Sequence, residues 1–372
     1  MRTEHPEAIH TFLDHAGWGD ALIAPLPGDA STRRYARLTH GTRTALLMNQ
    51  PQSAETPPAP TQATPQERRA LGYNALARLA GADCARFVAV AEYLRGRGLS
   101  APQILAADPP QGLVLLEDLG DGLYSDVLDN GEDETLLYTT AAAALARLHA
   151  ENAPETLSDG LPLHAYDETA LLAETDLLTE WFFPLALGRA AHDEEIAEHR
   201  TLWKEALAPT LTAQPVFVHR DYHAQNLLWL PRRAGIARVG LIDFQDAVRG
   251  NKAYDLVSLV EDARRAVSPA LAKATIAHYR AAVRANGGSL DGDRFHAELA
   301  VMAAQRNAKI AGIFARLFKR DGKPRYLTYL PRVWNYLEHD LHHPALTALE
   351  KWYDRKIPHS LRGSVPMESA SR

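Results

Sequence analysis

The most informative stretch of this sequence is Val218-His219-Arg220-Asp221-Tyr222-His223-Ala224-Gln225-Asn226. Apolar runs precede it at 216–218 and follow it at 227–230, a pattern that predicts a polar turn between two short buried strands. Further along the chain, the strand-like run Leu241-Ile242 ends in a second carboxylate, Asp243. Three polar side chains, those of Asp221, Asn226 and Asp243, therefore stand at the ends of apolar segments.

The order of these side chains resembles the catalytic core of the protein-kinase-like phosphotransferases, in which a His-x-Asp turn is followed by Asn and then by a strand that ends in Asp. Phosphoryl transfer depends on an aligned nucleophile and on neutralised phosphate charge. The resemblance implies that Asp221 accepts a hydroxyl proton, and that Asn226 and Asp243 offer oxygen ligands to Mg²⁺, a hard cation. The structural alternative is a pair of β-hairpins whose polar turns are merely solvated.

The composition of the chain limits its partners. With 372 residues it is long enough for two lobes, and its net charge of -6 argues against nucleic acid or an anionic membrane surface as its main partner. Its single cysteine, Cys84, allows no intramolecular disulfide. No apolar run reaches membrane-spanning length, and the N-terminus does not resemble a signal peptide. We expect a cytoplasmic monomer without nucleic-acid or membrane partners.

The first third of the chain predicts a small β-rich region. A helix is expected over 6–17, a hairpin from 35–38 and 44–48 around His40-Gly41, and strands over 104–107 and 113–116. The proline-rich segment 51–66 is expected to be extended or flexible. Small turn-forming residues precede the hairpin, and their backbone N–H groups can cradle phosphates. These residues are Gly28, Asp29, Ser31 and Thr32.

Helical periodicity dominates the rest of the chain. It predicts helices over 67–98 with an interruption near Gly81, and over 134–150, 169–187, 194–211, 255–284, 294–319 and 330–352. At Glu117-Asp118-Leu119-Gly120 a kinase chain would cross between lobes and offer backbone groups, here of Glu117 and Leu119, to adenine. The sequence thus predicts a two-lobed α+β protein-kinase-like fold. Its nucleotide-binding lobe would span 1–118, and a helical lobe with the catalytic loop and the acceptor site would span 119–372.

With these motifs in order, the chain is similar to the aminoglycoside phosphotransferase-like branch of the kinase fold. Within that branch it most resembles the bacterial anomeric kinases of N-acetylmuramate and N-acetylglucosamine in cell-wall recycling. The likeness is carried by Gly28-Asp29-Ala30-Ser31 with Arg33-Arg34-Tyr35, His219-Arg220-Asp221-Tyr222, Asp243-Phe244-Gln245-Asp246-Ala247, Tyr254-Asp255-Leu256, Gly312-Ile313-Phe314-Ala315-Arg316 and Arg320-Asp321-Gly322-Lys323-Pro324-Arg325-Tyr326-Leu327. It implies ATP as donor, Mg²⁺ as cofactor and a small amino sugar as acceptor.

The chain departs from the wider family at one phosphate contact. Protein kinases and most aminoglycoside kinases carry a lysine on the third strand, whereas this strand reads Ala45-Leu46-Leu47-Met48-Asn49. The nearest cations are Arg33 and Arg34, and a guanidinium can clasp phosphate oxygens with two hydrogen bonds. Because side chains alternate along a strand, only one of the two can face the phosphates. Lys323 is the next choice.

Several residues of the loop region have two interpretations. The resemblance implies that His219 is a buried organiser of the loop. It also implies that Asp255 holds the loop backbone by hydrogen bonds, although an Asp before an apolar run is equally consistent with a helix N-cap. His223 faces either the phosphate or solvent.

The acceptor site is the least determined part. Glu180 and Trp181 would border it, as a hydroxyl acceptor and an aromatic face for a sugar ring, whereas the alternative is that the acidic run of Glu174, Asp176 and Glu180 is a solvated helix face. Arg306 falls on the apolar stripe of the helix 294–319, where a charge is costly without an anionic partner. That partner is either a carboxylate such as Asp246 or Asp255, or the ligand. Arg325 is a second cation placed to contact the acceptor.

Three functions compete. The leading one is an ATP-dependent kinase of the anomeric hydroxyl of an N-acetylated amino sugar. An aminoglycoside, choline or homoserine kinase is the neighbouring possibility, but the cationic run of Lys319, Arg320, Lys323 and Arg325 favours a neutral or anionic acceptor. A pseudokinase binding module would require loss of the base or of a metal ligand, and Asp221, Asn226 and Asp243 are all present.

Overall fold

The structure, a computed structural model, describes residues 6–27, 32–50 and 60–364. The strands are β1 (Leu22–Pro25), β2 (Arg34–His40), β3 (Arg43–Asn49), β4 (Ile104–Asp108), β5 (Leu113–Glu117), β6 (Val216–Val218), β7 (Leu227–Trp229), β8 (Val239–Leu241) and β9 (Val248–Gly250). The α-helices are α1 (Pro6–His15), α2 (Pro65–Leu71), α3 (Tyr73–Leu76), α4 (Cys84–Gly96), α5 (Tyr124–Asp129), α6 (Glu134–Leu148), α7 (Glu168–Leu177), α8 (Phe183–Leu187), α9 (Asp193–Leu207), α10 (Ala253–Val260), α11 (Pro269–Ala285), α12 (Gly292–Lys319), α13 (Leu330–Leu341) and α14 (Thr347–Lys356). A π-helical turn, Leu178–Phe182, joins α7 to α8.

The chain forms two compact units. The first comprises Met1–Glu132, Pro154–His164 and Gln225–Ala247, and the second comprises Asp133–Ala153, Ala165–Ala224 and Val248–Arg372. Each unit is therefore assembled from three separate stretches of sequence. The expected division of the chain after residue 118 stays a prediction.

The first unit is built on an antiparallel sheet in the order β1-β2-β3-β5-β4. The hairpin of β2 and β3 forms around the expected turn, where Gly41 has a φ of 62°, a left-handed conformation that glycine adopts without steric cost. Helix α1 packs its apolar side, including Phe12 and Leu13, onto Leu38 and Leu47 of this sheet. Each such side chain contributes about 1.5–3 kcal/mol by leaving water.

A cluster of ion pairs around Arg37 fixes the segment that follows β5 in the first unit. The guanidinium of Arg37, on β2, lies 2.7 Å from a carboxylate oxygen of Asp118 and 2.7 Å from one of Asp121. Asp118 also accepts a hydrogen bond from the N–H of Gly120 at 2.9 Å. Because the guanidinium binds both carboxylates with its fixed fork of donors, it holds the backbone between them in one conformation.

The second unit is mainly helical, and its longest helix is α12. The side chain of Asp291 caps the start of α12 by accepting hydrogen bonds from Asp293 and Arg294. Helix α12 packs against α7, α10 and α13, while α6 packs against α11. Gly312 allows the approach of α12 to the end of α7, because a Cβ at this position would lie 2.3 Å from the carbonyl carbon of Leu177.

The helical predictions over 255–284 and 330–352 are wrong in one respect, since each range contains a break. Helix α10 ends at Val260 and α11 begins at Pro269, where Ser268 caps the new helix through the N–H of Leu271. The second break lies between α13 and α14, where His343 precedes Pro344. Proline favours the first helical turn but disfavours helix in the residue before it, so both breaks have a local cause.

Two further findings concern extended and apolar segments. Of the proline-rich segment expected over 51–66, residues 60–66 are described, and α2 already begins at Pro65 after a capping box formed by Thr64 and Glu67. Within the described residues, no helix is both long and apolar enough to cross a membrane.

Candidate active site

In the first unit, Asp243 is the centre of a polar cluster. It follows β8 in a left-handed conformation (φ 61°), and its side chain is 46% exposed. The amide nitrogen of Asn226 lies 3.4 Å from one carboxylate oxygen, while Gln245 donates to the other at 3.0 Å. Arg33 approaches the same carboxylate to 3.5 Å. The structure thus brings together both expected metal ligands and one of the two expected phosphate cations.

The donor set of this cluster fits Mg²⁺. The ion prefers oxygen ligands and is commonly held by one or two carboxylates together with phosphate oxygens and water. Asp243 supplies a carboxylate, and Asn226 supplies an amide oxygen if its amide is turned over, since the two ends of an amide are assigned from the hydrogen-bond network. Within the part of the chain that the structure describes, no group of three or more His, Cys, Asp or Glu side chains forms a metal site.

The loop that carries Asp243 is anchored on helix α4 and the turn before it, all within the first unit. The ring of Phe244 stacks on Phe87 with centroids 4.8 Å apart. Arg86 donates to the carbonyl of Ala247 at 2.7 Å. Asp246 accepts a hydrogen bond from the N–H of Ala80 at 2.6 Å. Asp246 therefore ties this loop to the backbone of the turn before α4.

Arg33 and Arg34, the two expected phosphate cations, point in different directions. Arg33 has a side chain that is only 11% exposed and that reaches Asp243, whereas Arg34 is exposed at the start of β2. Thr32, in the same segment, accepts a hydrogen bond from Gln50 at 2.9 Å. Gly28, Asp29 and Ser31, the other expected phosphate contacts, lie outside the described residues. The geometry favours Arg33 over Arg34 as the phosphate cation.

At the expected adenine contact, the backbone N–H groups of Glu117 and Leu119 differ in their hydrogen bonding. The N–H of Glu117 donates to the carbonyl of Gln103 at 2.8 Å, which leaves the carbonyl of Glu117 as the backbone group for adenine. The carboxylate of Glu117 accepts from Arg233 at 2.6 Å. In the described residues, the N–H of Leu119 donates no hydrogen bond to protein. The backbone contacts of Glu117, through its carbonyl, and of Leu119, through its N–H, therefore stay predictions.

In the second unit, Asp255 holds the backbone of the loop that contains Asp221. Its two carboxylate oxygens accept from the N–H groups of His219, at 2.6 Å, and Arg220, at 2.9 Å. The N-cap position of α10 is Lys252 and Asp255 lies inside the first turn, so the N-cap alternative for Asp255 is wrong. Burial raises the pKa of Asp255 to about 7, against the opposite effect of the two N–H groups. His219 itself is fully buried, and its ring meets that of Tyr222 edge-on.

Arg220 occupies the left-handed region with a φ of 77°. This conformation costs a residue other than glycine about 1–3 kcal/mol and persists only where surrounding contacts impose it. Its guanidinium binds the carboxylate of Glu174 and lies 4.8 Å above the ring of Tyr166. The residue before Asp221 is therefore fixed at both its backbone and its side chain.

The surroundings of Asp221 keep its carboxylate ionised. Burial alone would raise its pKa, but four neighbouring basic side chains together lower the pKa of Asp221 to about 2. They are Lys309, His223, Arg220 and Arg306. An ionised carboxylate at neutral pH is the form that can accept a proton.

His223 does not face solvent, so that alternative is wrong. Its side chain is buried, and burial lowers the pKa of His223 to about 4, with Asp262 opposing and Arg264 adding to the effect. A neutral imidazole has one donor and one acceptor nitrogen. His223 can thus take part in hydrogen bonding near Asp221 without adding a full charge at neutral pH.

Arg306 is 4% exposed, and its only hydrogen bond within the described residues is to the carbonyl of Glu261 at 3.3 Å. No carboxylate of the described chain forms an ion pair with it. The expected ion-pair partner Asp255 is occupied by the loop backbone. The charge of Arg306 nevertheless lowers the pKa values of three nearby carboxylates, those of Asp221, Asp255 and Glu261, so ligand binding by Arg306 stays a prediction beside the structural role.

The remaining acceptor candidates lie nearer the surface. Glu180 is exposed and Trp181 is half-buried, both in the π-helical turn. Such turns recur at functional sites. Arg325 is exposed, with its guanidinium 5.1 Å from the ring centroid of Tyr326. All three lie in the second unit, as does the loop of Asp221, and their contact with the acceptor stays a prediction.

Two buried charged residues of the second unit, Glu174 and Lys309, were not predicted from the sequence. Glu174, expected on a solvated helix face, is fully buried, and Lys309 binds it at 2.9 Å. The available signal was spacing, because Glu174 follows Ala170 and Leu171 by one helical turn and so falls on the apolar stripe of α7.

Known proteins are similar to this chain in sequence and in fold. The sequence profile of the phosphotransferase enzyme family matches residues 22–296. The N-acetylmuramate/N-acetylglucosamine kinase of Caulobacter vibrioides is 46% identical over 364 residues, which cover 96% of this chain and 98% of that protein. The kinase of the same name from Pseudomonas aeruginosa is 34% identical over 327 residues, or 87% of this chain and 85% of that protein.

A solved structure agrees at the level of fold. The crystal structure of a choline/ethanolamine kinase family protein from Mesorhizobium loti matches with a TM-score of 0.56 at 14% identity, covering 93% of this chain and 97% of that chain. The α+β kinase-like fold predicted from the sequence is thereby confirmed. The chain belongs to the phosphotransferase enzyme family and is a kinase.

Proposed function

We propose that this protein is an ATP- and Mg²⁺-dependent kinase that phosphorylates the anomeric hydroxyl of N-acetylmuramate and N-acetylglucosamine. The observation that carries the proposal is the 46% identity, over nearly the whole chain, to a kinase named for these two sugars. The reaction would serve peptidoglycan recycling, which takes place in the cytoplasm. The protein would act there as a monomer.

The proposed chemistry assigns one step to each side chain. The carboxylate of Asp221 accepts the proton of the anomeric hydroxyl while that oxygen bonds to the γ-phosphorus of ATP. The bond between the γ-phosphorus and the bridging oxygen breaks, and ADP leaves with that oxygen. Asn226 and Asp243 would hold Mg²⁺, which supplies neutralisation of phosphate charge. Arg33 would contact the phosphates of ATP. The backbone N–H of Leu119 would contact its adenine.

The charge around Asp221 supports a neutral or anionic acceptor. Lys309, Arg220 and Arg306 all act on this carboxylate. Glu174 pairs with the first two of these cations, so Arg306 is the one that would repel a polycationic aminoglycoside in this poorly solvated site. The amino-sugar assignment is therefore better supported than the aminoglycoside alternative.

The proposal is tested by measuring ADP release with Mg²⁺ and ATP on a panel of acceptors. We expect turnover with N-acetylglucosamine and N-acetylmuramate and a product that no longer reduces copper, since its anomeric carbon is blocked. The methyl glycoside of N-acetylglucosamine is the matched control and should not react. Equal turnover of sugar and methyl glycoside would place the phosphate elsewhere. Turnover of neither sugar would contradict the substrate assignment.

A prediction about phosphate binding follows from the two arginines. Arg33→Met should weaken ATP binding about 10- to 100-fold, because it removes a charge-assisted contact worth about 1.5–3 kcal/mol. Arg34→Met, at the exposed neighbouring position, is the matched control and should have a mild effect. Calorimetric titration with ATP and Mg²⁺ measures both. Two equally mild effects would direct the search for the phosphate cation to Lys323.

A second prediction concerns the lactyl carboxylate that only N-acetylmuramate carries. Arg306→Met should raise KM for this sugar about 10- to 100-fold and spare N-acetylglucosamine, since a charge-assisted pair is worth about 1.5–3 kcal/mol. Arg325→Met is measured beside it, because Arg325 is the other expected partner of this carboxylate. Steady-state kinetics with both sugars, together with melting temperatures, check the expectation. An equal loss for both sugars would assign Arg306 to the shared part of the reaction instead.

A further inference from the structure

One carboxylate of the second unit, that of Glu174, is completely enclosed by donors. Its side chain is 0% exposed. It binds the guanidinium of Arg220, the ammonium of Lys309 at 2.9 Å, the amide of Gln305 at 3.1 Å and the hydroxyl of Tyr166. Carboxylates are almost never buried this fully unless they are paired. Glu174 has no side open to a ligand, so its function must be exerted through its partners.

The partner that reaches the reaction is Arg220. It directly precedes Asp221 and holds a left-handed conformation that an arginine does not adopt unaided. Asp255 fixes its N–H, and Glu174 with the ring of Tyr166 fixes its guanidinium. Without the anchor at Glu174, the side chain and the backbone torsion of Arg220 would be free to change together.

Lys309 is the second partner of Glu174. Its ammonium also lies 3.2 Å from the hydroxyl of Tyr254, and it is one of the cations that act on Asp221. Glu174 compensates both Arg220 and Lys309, so two cations can stay beside Asp221 without repelling each other. Glu174, Arg220 and Lys309 thus form a buried charged network that adjoins the loop of Asp221.

We propose that Glu174 is a positioning residue for the phosphoryl transfer: through Arg220 and Lys309 it fixes the loop conformation in which Asp221 meets the acceptor hydroxyl. This inference rests on the proposed function in so far as Asp221 is taken as the base. It assigns to α7 a part in the reaction, although Glu174 touches neither sugar nor nucleotide in the proposed arrangement.

The first test is the variant Glu174→Gln, which keeps the shape of the side chain and removes its charge. We expect kcat to fall about 10- to 100-fold, because small misplacements of a reacting group have effects of that size. KM for ATP and for the sugar should stay within a few-fold. The matched control is Asp176→Asn. Asp176 lies on the same helix as Glu174, and its carboxylate binds Arg200. An unchanged kcat in folded Glu174→Gln would overturn the proposal.

The second test is a double-mutant cycle with Arg220→Gly, since glycine adopts the left-handed conformation freely. If Glu174 acts in part through Arg220, the loss of kcat in the double variant should be smaller than the product of the two single losses. Effects on kcat that multiply would show that Glu174 acts by another route and would contradict the proposal. Melting temperatures of all four proteins separate loss of fold from loss of turnover.

A readout independent of activity keeps the inference separate from the proposed function. Hydrogen exchange of the peptide amides at 219–220 should accelerate in Glu174→Gln, whereas exchange in α11 should not change. A parent enzyme that turns over neither sugar contradicts the proposed function only. Unchanged exchange at 219–220 contradicts the positioning role, whatever the substrate proves to be.

Discussion

Asp221→Asn should lower turnover by about 10²–10⁴-fold, the loss expected when general-base assistance is removed. Asparagine has nearly the same shape as aspartate, so the loop contacts made by Asp255 and Arg220 should persist. It cannot accept a proton at neutral pH, whereas the Asp221 carboxylate is held ionised by its basic neighbours, which lower its pKa to about 2. The rate constant kcat, measured at saturating ATP and sugar, checks the expectation.

The same variant must keep its nucleotide site for the result to be informative. We expect the dissociation constant for ATP and the melting temperature to stay close to those of the parent enzyme. Turnover within a few-fold of the parent would show that another group accepts the proton. A large loss of ATP affinity would instead indicate that Asp221 contributes to binding.

Asp243→Ala should abolish Mg²⁺-dependent nucleotide binding. The substitution removes the carboxylate of the proposed metal site, and the Asn226 amide would be the only expected side-chain ligand left. It also leaves Arg33 and Gln245 without their shared partner. Titrating ATP at a series of Mg²⁺ concentrations measures how the affinity for ATP depends on Mg²⁺. This dependence should be strong in the parent enzyme and absent in the variant.

A matched control for this prediction is Asp83→Asn in the same unit. Asp83 caps α4 by accepting hydrogen bonds from the N–H groups of Ala85 and Arg86. Its replacement should cost no more than about 0.5–2 kcal/mol of stability and should not alter the response to Mg²⁺. ATP affinity in Asp243→Ala that depends on Mg²⁺ as in the parent would contradict the proposed metal ligands.

The parts of the fold that sequence predicted are those with strong local signals. The β2–β3 hairpin has alternating apolar residues around a glycine turn, and α12 has a long apolar stripe behind an aspartate cap. Asp221, Asn226 and Asp243 were found because their order and their apolar flanks are set along the chain. Local patterns of this kind are sufficient for elements, but they do not specify which elements meet.

What sequence missed depends on contacts between distant segments. Glu174 is buried because Arg220, Gln305 and Lys309 are brought to it by folding, and no pattern within α7 indicates three such partners. The break between α10 and α11 was missed because apolar residues continue at helical spacing on both sides of it, although Ser268 and Pro269 marked it. Likewise, the N–H of Glu117 is used by Gln103, a pairing that only the sheet determines.

The left-handed backbone of Arg220 and Asp243 sets stability against activity in this enzyme. Both residues adopt a conformation that glycine would hold at lower cost. Arg220 belongs to the loop of Asp221, and Asp243 belongs to the loop after β8. Asp159 has the same backbone conformation at an exposed position outside those loops. At the exposed Asp159 and Asp243 glycine would relieve this cost, but at Asp243 it would also remove a proposed metal ligand. At Arg220 glycine would leave the buried Glu174 without its guanidinium partner, which costs more than the strain that is relieved. Directed evolution of this chain therefore has to select for turnover and thermal tolerance together.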